Sequence, residues 1–327
     1  MNRRIFIVFF LGLVGVVSMG SAAVAFSAMS SVNPLMKSCW RLQITSLCFF
    51  IMVLLTYKDK KEIYKDQLKK YWKTILIAGF SIGAHFSLWN VSMQFTSIAH
   101  SLVFLYSCPA LLVLYYMIRC RKLKLLQVSG AMIGFVGMFI MCFLSSSDEG
   151  TTWYGDLIAL SGAVALAVNL IISENLMIEG PIFYLFCIHI TAAVFCLVIS
   201  ISLYPISIAS VFGYLYTLDG AYALYLGVVC GFIGNGALYF LLKYVSPFIL
   251  SVIINFDPVV GSLFAWIFGF QSDPNRFTFI GGSLVLLGNF IATASLHMKK
   301  KNEEQKNENK VEPHHPLSRL CSTVGIQ

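Results

Sequence analysis

The sequence predicts an all-α, polytopic membrane protein whose ten transmembrane helices form two inverted five-helix repeats. Three observations lead there. Of 327 residues, 58% are hydrophobic and only 12% charged, against roughly a quarter charged in a soluble globular chain. The apolar residues gather into unbroken runs of about twenty, the length a helix needs to cross a hydrocarbon core of about 30 Å. The chain also resembles itself at an offset of about 150 residues, the pattern of an internally duplicated membrane protein. Barrel strands are excluded, because a lipid-facing strand alternates over about ten residues rather than staying apolar for twenty.

The ten runs follow in order. The first, 5–28, has an Ala-rich end (Ala22, Ala23, Ala25) that resembles a signal-peptide cleavage region. Its apolar length exceeds the roughly 7 to 15 residues of a signal core, so it reads as a retained helix. Runs 34–57 and 74–96 flank a basic connector expected as a loop at 58–73. Runs 98–118 and 125–145 complete the first half, and 155–177, 181–204, 221–243, 246–270 and 278–297 make up the second. The tightest connections, at 96–98 and 243–246, are where two helices could merge into one. The tail after His297 carries Lys299, Lys300, Lys301, Glu303 and Glu304 and too little apolar surface to pack, so 299–327 is expected to be a disordered cytoplasmic segment.

The internal likeness rests on spacing. Phe95-Thr96-Ser97 precedes Pro109, and Tyr244-Val245-Ser246 precedes Pro258, with Ser and Pro twelve residues apart in both; Gly130 and Gly137, and Gly281 and Gly288, are seven apart. This divides the chain into a first repeat at 1–150 and a second at 151–298. Because five crossings per repeat is an odd number, the second copy enters the membrane from the opposite side. Ten crossings put both termini on one face. The cations Arg3, Arg4, Lys58 to Lys73, Arg119 to Lys124, Lys243 and the tail lie on that face, while the other has Arg276 beside Asp148, Glu149, Asp156, Asp219 and Asp273. Lys and Arg mark the cytoplasmic side, so both termini are expected there.

Ionisable groups inside the membrane cost free energy and are functional candidates. Arg41 lies eight residues after Asn33, roughly 12 Å into the second helix at 1.5 Å per residue, and Lys37 stands one turn above it on the same face. Lys37 could instead snorkel to the surface. Asp257 lies at similar depth beside Asn255 and Pro258, where the proline, lacking an N–H, frees a carbonyl. It could pair with Arg41, bind a cationic group or carry a proton. His85, His100 and His189 also fall within spans and read as packing or relay residues. Trp40, Trp89, Tyr106, Tyr239 and Phe256 gather in sequence near these polar positions, which suggests an amphipathic cavity lining. The expected substrate contacts are therefore Lys37, Trp40, Arg41, His85, Trp89, Asn90, Tyr106, Tyr239, Asn255 and Asp257.

Other chemistry is not encoded. The nine cysteines form no C-x-x-C pair and lie mostly within apolar runs, so neither metal nor disulfide is expected. Asn90-Val91-Ser92 fits a glycosylation site but falls inside a helix. There is no phosphate-cradling Gly motif, H-E-x-x-H or nucleophile elbow, which argues against an enzyme, a cofactor or transport driven by ATP on this chain. The 58–73 cations suit topology and acidic lipid headgroups rather than nucleic acid.

Asn33-Pro34 leading to Trp40-Arg41, the paired segments Phe95 to Pro109 and Tyr244 to Pro258, and the final Gly281 to Gly288 together resemble the EamA branch of the drug/metabolite transporter superfamily. The resemblance spans about residues 5–298. It implies a substrate site between the repeats, lined by helices 1 to 4 and 6 to 9, with helices 5 and 10 peripheral. One departure is the Gly-Glu that often follows the ninth helix, which here reads Gly269-Phe270-Gln271-Ser272; the first copy reads Ile118-Arg119-Cys120-Arg121, also without an acid. The expected function is a secondary carrier of small polar or amphipathic metabolites, with a non-transporting receptor or scaffold as the alternative. Expected partners are a small-molecule substrate and membrane lipids, with homodimerisation left open and the plasma membrane as default location over an organelle membrane.

Overall fold

The computed structural model describes residues 3–29, 31–96, 98–119, 124–144, 152–177, 180–204, 208–269, 276–277, 279–288 and 290–292. All regular structure among them is helical. Five helices are long and apolar enough to cross a membrane, at Phe6–Phe26, Pro34–Ser92, Trp153–Glu174, Pro181–Leu203 and Asp219–Leu241, and shorter apolar helices lie at Cys108–Ile118, Leu125–Ile140, Pro247–Gly261 and Phe279–Ala292. The interior is largely apolar but also holds polar groups, and the exterior is apolar too. Arg41, His85, Asn90, Asn169, His189 and Asp257 are buried, while Phe9, Leu55, Val198 and Phe290 stand exposed on the outside, as expected where the solvent is lipid. The tail at 299–327 and the acids Asp148 and Glu149 lie outside the described residues.

The chain opens with α1 (Arg3–Gly20) and α2 (Ala22–Ala28). Then comes α3, whose hydrogen bonding is continuous from Pro34 to Ser92. Asn33 starts it, its side-chain oxygen accepting from the Leu35 N–H at 3.0 Å, with Pro34 in the first helical position where no N–H is needed. The basic connector expected as a loop at 58–73 is thus helical. No Gly or Pro occurs between Pro34 and Gly79, so nothing in the local sequence ends the helix. Yet α3 is no straight rod. Asn90 Nδ2 donates to Ser38 Oγ at 2.5 Å, whereas 52 residues of straight helix would separate them by about 78 Å. The two arms therefore lie side by side and turn between those residues, whose midpoint is Tyr64; its hydroxyl meets that of Thr56 at 2.7 Å, and Thr56 donates back to the carbonyl of Met52 at 2.7 Å. A threonine bonded back to its own helix favours such a bend.

The run expected at 98–118 is broken into α4 (Ile98–Leu105) and α5 (Cys108–Ile118). It is followed by α6 (Leu125–Phe143), α7 (Trp153–Leu176), α8 (Pro181–Leu203) and a short α9 (Ile208–Val211). Then α10 (Asp219–Tyr225) passes through a π-helical stretch, Leu226–Asn235, into α11 (Gly236–Leu241). The run expected at 246–270 is broken in turn, into α12 (Pro247–Ile254) and α13 (Asp257–Ile267). A last apolar helix, α14, occupies Phe279–Ala292.

The two breaks coincide in the repeat. Helix limits at 98, 105, 108 and 118 recur at 247, 254, 257 and 267, each 149 residues later. Pro109 and Pro258 occupy the second position of the helix after each break, and neither can donate to the carbonyl four residues earlier. A second pairing links α6 to α14. A Cβ on Gly130 would stand 2.7 Å from the Gly288 carbonyl oxygen, and one on Gly137 would stand 2.6 Å from that of Gly281. Only glycine allows backbones this close. In the sequence repeat Gly130 corresponds to Gly281 and Gly137 to Gly288, so exchanging the two halves converts one contact into the other.

Candidate functional site

Where the broken helices meet, polar and apolar side chains line a cavity of about 60 Å³, room for a few water molecules. Its wall includes Met19 and Ala22, Arg41, the second arm of α3 through Ile82, His85, Phe86 and Trp89, and Leu105 and Tyr106 at the first break. The other half contributes Leu166 and Leu170 from α7, Asn235, Leu238 and Tyr239, and Leu250, Ile254 and Asp257 around the second break. None of the described residues of α6 and α14 lines it.

Arg41 is 1% exposed. Its guanidinium lies over the Phe86 ring at 4.6 Å and near Phe26 at 5.8 Å, contacts in which aromatic faces partly replace lost hydration. Nη2 donates to the Met19 sulfur at 3.1 Å, a weak acceptor, and Nη1 has no hydrogen-bond partner. Asp257 opens α13, where the helix N-terminus favours a carboxylate. Its Oδ2 accepts from the Tyr106 hydroxyl at 3.3 Å and its Oδ1 has no partner. The Asn255 amide, oriented with nitrogen toward the carbonyls, donates to Ser251 O at 3.2 Å and Tyr106 O at 3.1 Å. Tyr106 and Asn255 are 149 residues apart and thus correspond in the repeat, so the two breaks are stitched to each other at equivalent positions. Arg41 and Asp257 interact electrostatically across the cavity. They do not form an ion pair within 4 Å; among the described residues that distance is met by Lys65 and Glu62 on the surface.

The remaining wall is neutral. His85 Nδ1 lies 3.0 Å from the Gly162 carbonyl, which can only accept, so Nδ1 carries a proton; in the neutral ring Nε2 is then an acceptor. Tyr239 presents its ring while its hydroxyl donates to Asn169 Oδ1. Asn169 Nδ2 in turn donates to Ala78 O at 2.8 Å, and Ser173 joins Asn169 to the Tyr184 hydroxyl. His189 donates from Nδ1 to Leu185 O at 2.7 Å, and Asn235 Nδ2 lies 3.5 Å from its Nε2. This polar network binds α7, α8 and α11 on one side of the cavity. Among the described residues no group of three or more His, Cys, Asp or Glu side chains could hold a metal ion.

The EamA-like transporter family model matches residues 6–143 and again 153–294. The chain belongs to the EamA-like transporter family. This EamA-like protein is accordingly an integral, multi-pass membrane protein of a transporter family, not of a family of enzymes. No curated protein sequence matches it significantly. One solved structure, described only as the crystal structure of a protein, matches with a TM-score of 0.71 over 88% of this chain and 97% of its own, at 18% identity. At that identity the likeness is one of fold.

Of the residues singled out in the sequence, Arg41, His85, Trp89, Tyr106, Tyr239 and Asp257 meet at the EamA-like cavity. Four others do not line it. Lys37 turns its amine up to the Phe26 carbonyl at 3.0 Å. Trp40 points the other way, donating to Ser210 O at 3.0 Å and meeting Tyr214 edge-on at 5.9 Å, because the residue before Arg41 is rotated by about 100° around the helix. Asn90 is used within α3, on Ser38 Oγ and Phe86 O. Asn255 lies behind Asp257, joining the breaks. The side chain of His100 lies outside the described residues. Sequence reasoning missed Met19, Asn169 and Asn235. An Asn in an apolar run was the available signal for two of them.

Proposed function

We propose that this protein is a secondary carrier that moves small polar or amphipathic metabolites by alternating access around the cavity. In this reading the chain crosses the membrane ten times as two inverted repeats, 1–150 and 151–298. The observation that carries it is the exchange symmetry around a polar centre: two helices broken at equivalent residues, stitched through Tyr106 and Asn255, with α6 and α14 paired through reciprocal glycines. Two halves that can swap conformations around one fixed site are the physical requirement of alternating access.

Cross-loop contacts support the sorting of the connections onto two faces, and the excess of Lys and Arg on one of them supports both termini being cytoplasmic. Ser31 donates to Asp219, Tyr204 to Gln94, Thr96 to Asp156 and Thr152 to Phe95 O, all joining connections assigned to the outer face. Gln67 donates to Leu176 O at 3.2 Å, and Lys60 and Lys243 are electrostatic neighbours; these join connections assigned to the inner face. Arg41, with Asp257 opposite, is the centre of substrate contact. His85, Trp89, Tyr106 and Tyr239 shape the wall. Lys37, Trp40, Asn90 and Asn255 act by holding α3 and the second break in place.

The test is counterflow by the purified full chain in proteoliposomes across a panel of metabolites. Saturable exchange that is lost in Arg41→Gln is the expected result. Ligand binding without flux for any compound would instead make the protein a receptor.

A further inference from the structure

The segment between α8 and α10 takes no part in the cavity, and its own chemistry is distinctive. Residues 204–218 include no Asp, Glu, Lys, Arg or His. Large side chains stand outward from it: Phe212 is 50% exposed, Leu215 72%, Tyr216 65% and Leu218 96%. Its backbone, by contrast, is closed on itself. The Phe212 N–H donates to Ala209 O at 3.2 Å, that of Leu215 to Phe212 O at 3.0 Å, and those of Tyr216 and Thr217 to Gly213 O at 3.2 and 3.0 Å. The Tyr216 hydroxyl donates to Ala209 O at 2.6 Å and the Thr217 hydroxyl to Gly213 O at 2.8 Å. A loop facing water presents polar side chains. This one presents apolar and aromatic groups over a backbone that satisfies itself, which is what a lipid boundary demands.

Its position agrees. The helix Pro181–Leu203 before it and the helix Asp219–Leu241 after it each have 23 residues, enough to cross a hydrocarbon core of about 30 Å. Both ends of the segment therefore lie at the edge of the hydrocarbon. Exposed Val198, Ile201 and Leu203 lead up to it along α8, and exposed Tyr222 and Leu224 continue from it into α10, so the apolar outer surface runs on through it. On its protein side the segment grips α3. Gly213 is buried against Trp40, where an added Cβ would stand 2.5 Å from the indole. Trp40 Nε1 donates to Ser210 O, and Tyr214 meets the ring edge-on.

The first repeat has an equivalent arrangement with opposite chemistry. In the ten-crossing reading, 58–73 also joins a second crossing to a third. Its Tyr64 stacks on Phe183 at 4.9 Å near the start of α8, as Tyr214 packs on Trp40 near the start of α3. Each connector thus holds the second crossing of the opposite repeat. The one at 58–73 is rich in lysine, which suits anionic headgroups, whereas 204–218 offers no charge to attract them.

Resting on that reading of the crossings, we propose that 208–218 is a membrane anchor. Phe212, Leu215, Tyr216 and Leu218 dock at the headgroup–hydrocarbon boundary of the adjoining leaflet, and the docked segment holds the outer end of α3 through Trp40. Because the segment is uncharged, its docking depends on neither anionic lipid nor salt.

The test uses the full chain in phosphatidylcholine vesicles. In a cysteine-cleared background that melts as the wild type does, Leu215→Cys and Leu218→Cys would each carry a fluorophore. Quenching by lipid bearing a nitroxide near the headgroup should exceed quenching by lipid bearing it near the chain end and by aqueous iodide. Adding phosphatidylserine or salt should leave that order unchanged. Quenching mainly by iodide would overturn the proposal, and so would shielding from all three, the result expected if a second copy covers the segment. The unmodified chain gives a second reading. Phosphatidylcholine with a photoreactive group at the top of its acyl chain should label 208–218 as well as α8, and labelling of α8 alone would overturn the anchor. For the hold on α3, amide deuterium uptake across 34–41 in lipid should rise about threefold or more in Leu215→Asp/Leu218→Asp and in Trp40→Phe. Unchanged uptake in the folded variants would overturn that hold. Nitroxide quenching is blind to which face the segment occupies, so docking combined with labelling of Gln94→Cys from the cytoplasmic side would keep the anchor and remove the assigned sidedness.

Discussion

The two broken helices have the same backbone and different chemistry. Helices of 8 and 11 residues flank both breaks, and Pro109 and Pro258 stand at the same place in each. Cys108 opens the second piece of one, and Asp257 opens the second piece of the other. The same asymmetry recurs two apolar runs earlier. Counting from Pro34 and Pro181, which start α3 and α8, Arg41 corresponds to Ile188. The first repeat thus supplies the cation and the second the anion. In the proposed carrier, symmetry would serve the movement, which needs two interchangeable halves, and the unlike residues at equivalent positions would serve recognition.

The sharpest way to break this comparison is to alter both members of an equivalent pair. Asp257→Asn should cut counterflow by about 100-fold, on the order of 3 kcal/mol for truncating one partner of a buried charge pair. Cys108→Ala, at the matching position, should leave flux within about threefold. The double variant Arg41→Gln/Asp257→Asn should melt above either single variant, because neither charge is then left buried alone. Equal losses from Cys108→Ala and Asp257→Asn would show that the breaks act by shape and not by charge.

A smaller effect is expected where the repeats are alike. Gly130→Val and Gly288→Val press a side chain into the same backbone contact from opposite sides, so each should destabilise the protein by about 1–3 kcal/mol. Together they should cost less than the sum, because they damage one interface. Additive losses in thermal melts would mean that α6 and α14 do not pack on each other as described.

The smallest effect belongs to a polar residue outside the cavity. Asn90→Ala removes bonds to Ser38 and Phe86 O, and interhelical side-chain hydrogen bonds in membranes average about 0.6 kcal/mol. Its melting temperature should fall slightly and its KM should stay unchanged. A KM raised severalfold would bring Asn90 into substrate contact.

Much of this was legible in the sequence, and the illegible part has physical causes. Apolar runs and matched Ser–Pro and Gly–Gly spacings marked the helices and the repeat, because burial in lipid and close backbone approach both leave local signatures. Arg41 and Asp257 stood out because a deep charge is rare. The placement of Lys37 and Trp40 was not readable, since facing depends on how a helix is rotated against neighbours that lie far away in sequence. The helical connector at 58–73 was hidden for a related reason. Its lysines report which side of the membrane it occupies, and they are also good helix formers. The network joining Asn169, Ser173, Tyr184, Tyr239, His189 and Asn235 required knowing that α7, α8 and α11 meet, which no single run reveals.

The most direct test of the inverted architecture labels two equivalent surface positions. Gln94 and Lys243 are 149 residues apart and both exposed. In a background cleared of native cysteines that still supports function, Gln94→Cys and Lys243→Cys would be treated in intact cells with a membrane-impermeant maleimide. Labelling of the first from outside, and of the second only after permeabilisation, is the outcome the two-repeat arrangement requires. Reaction of both from the same side would contradict it.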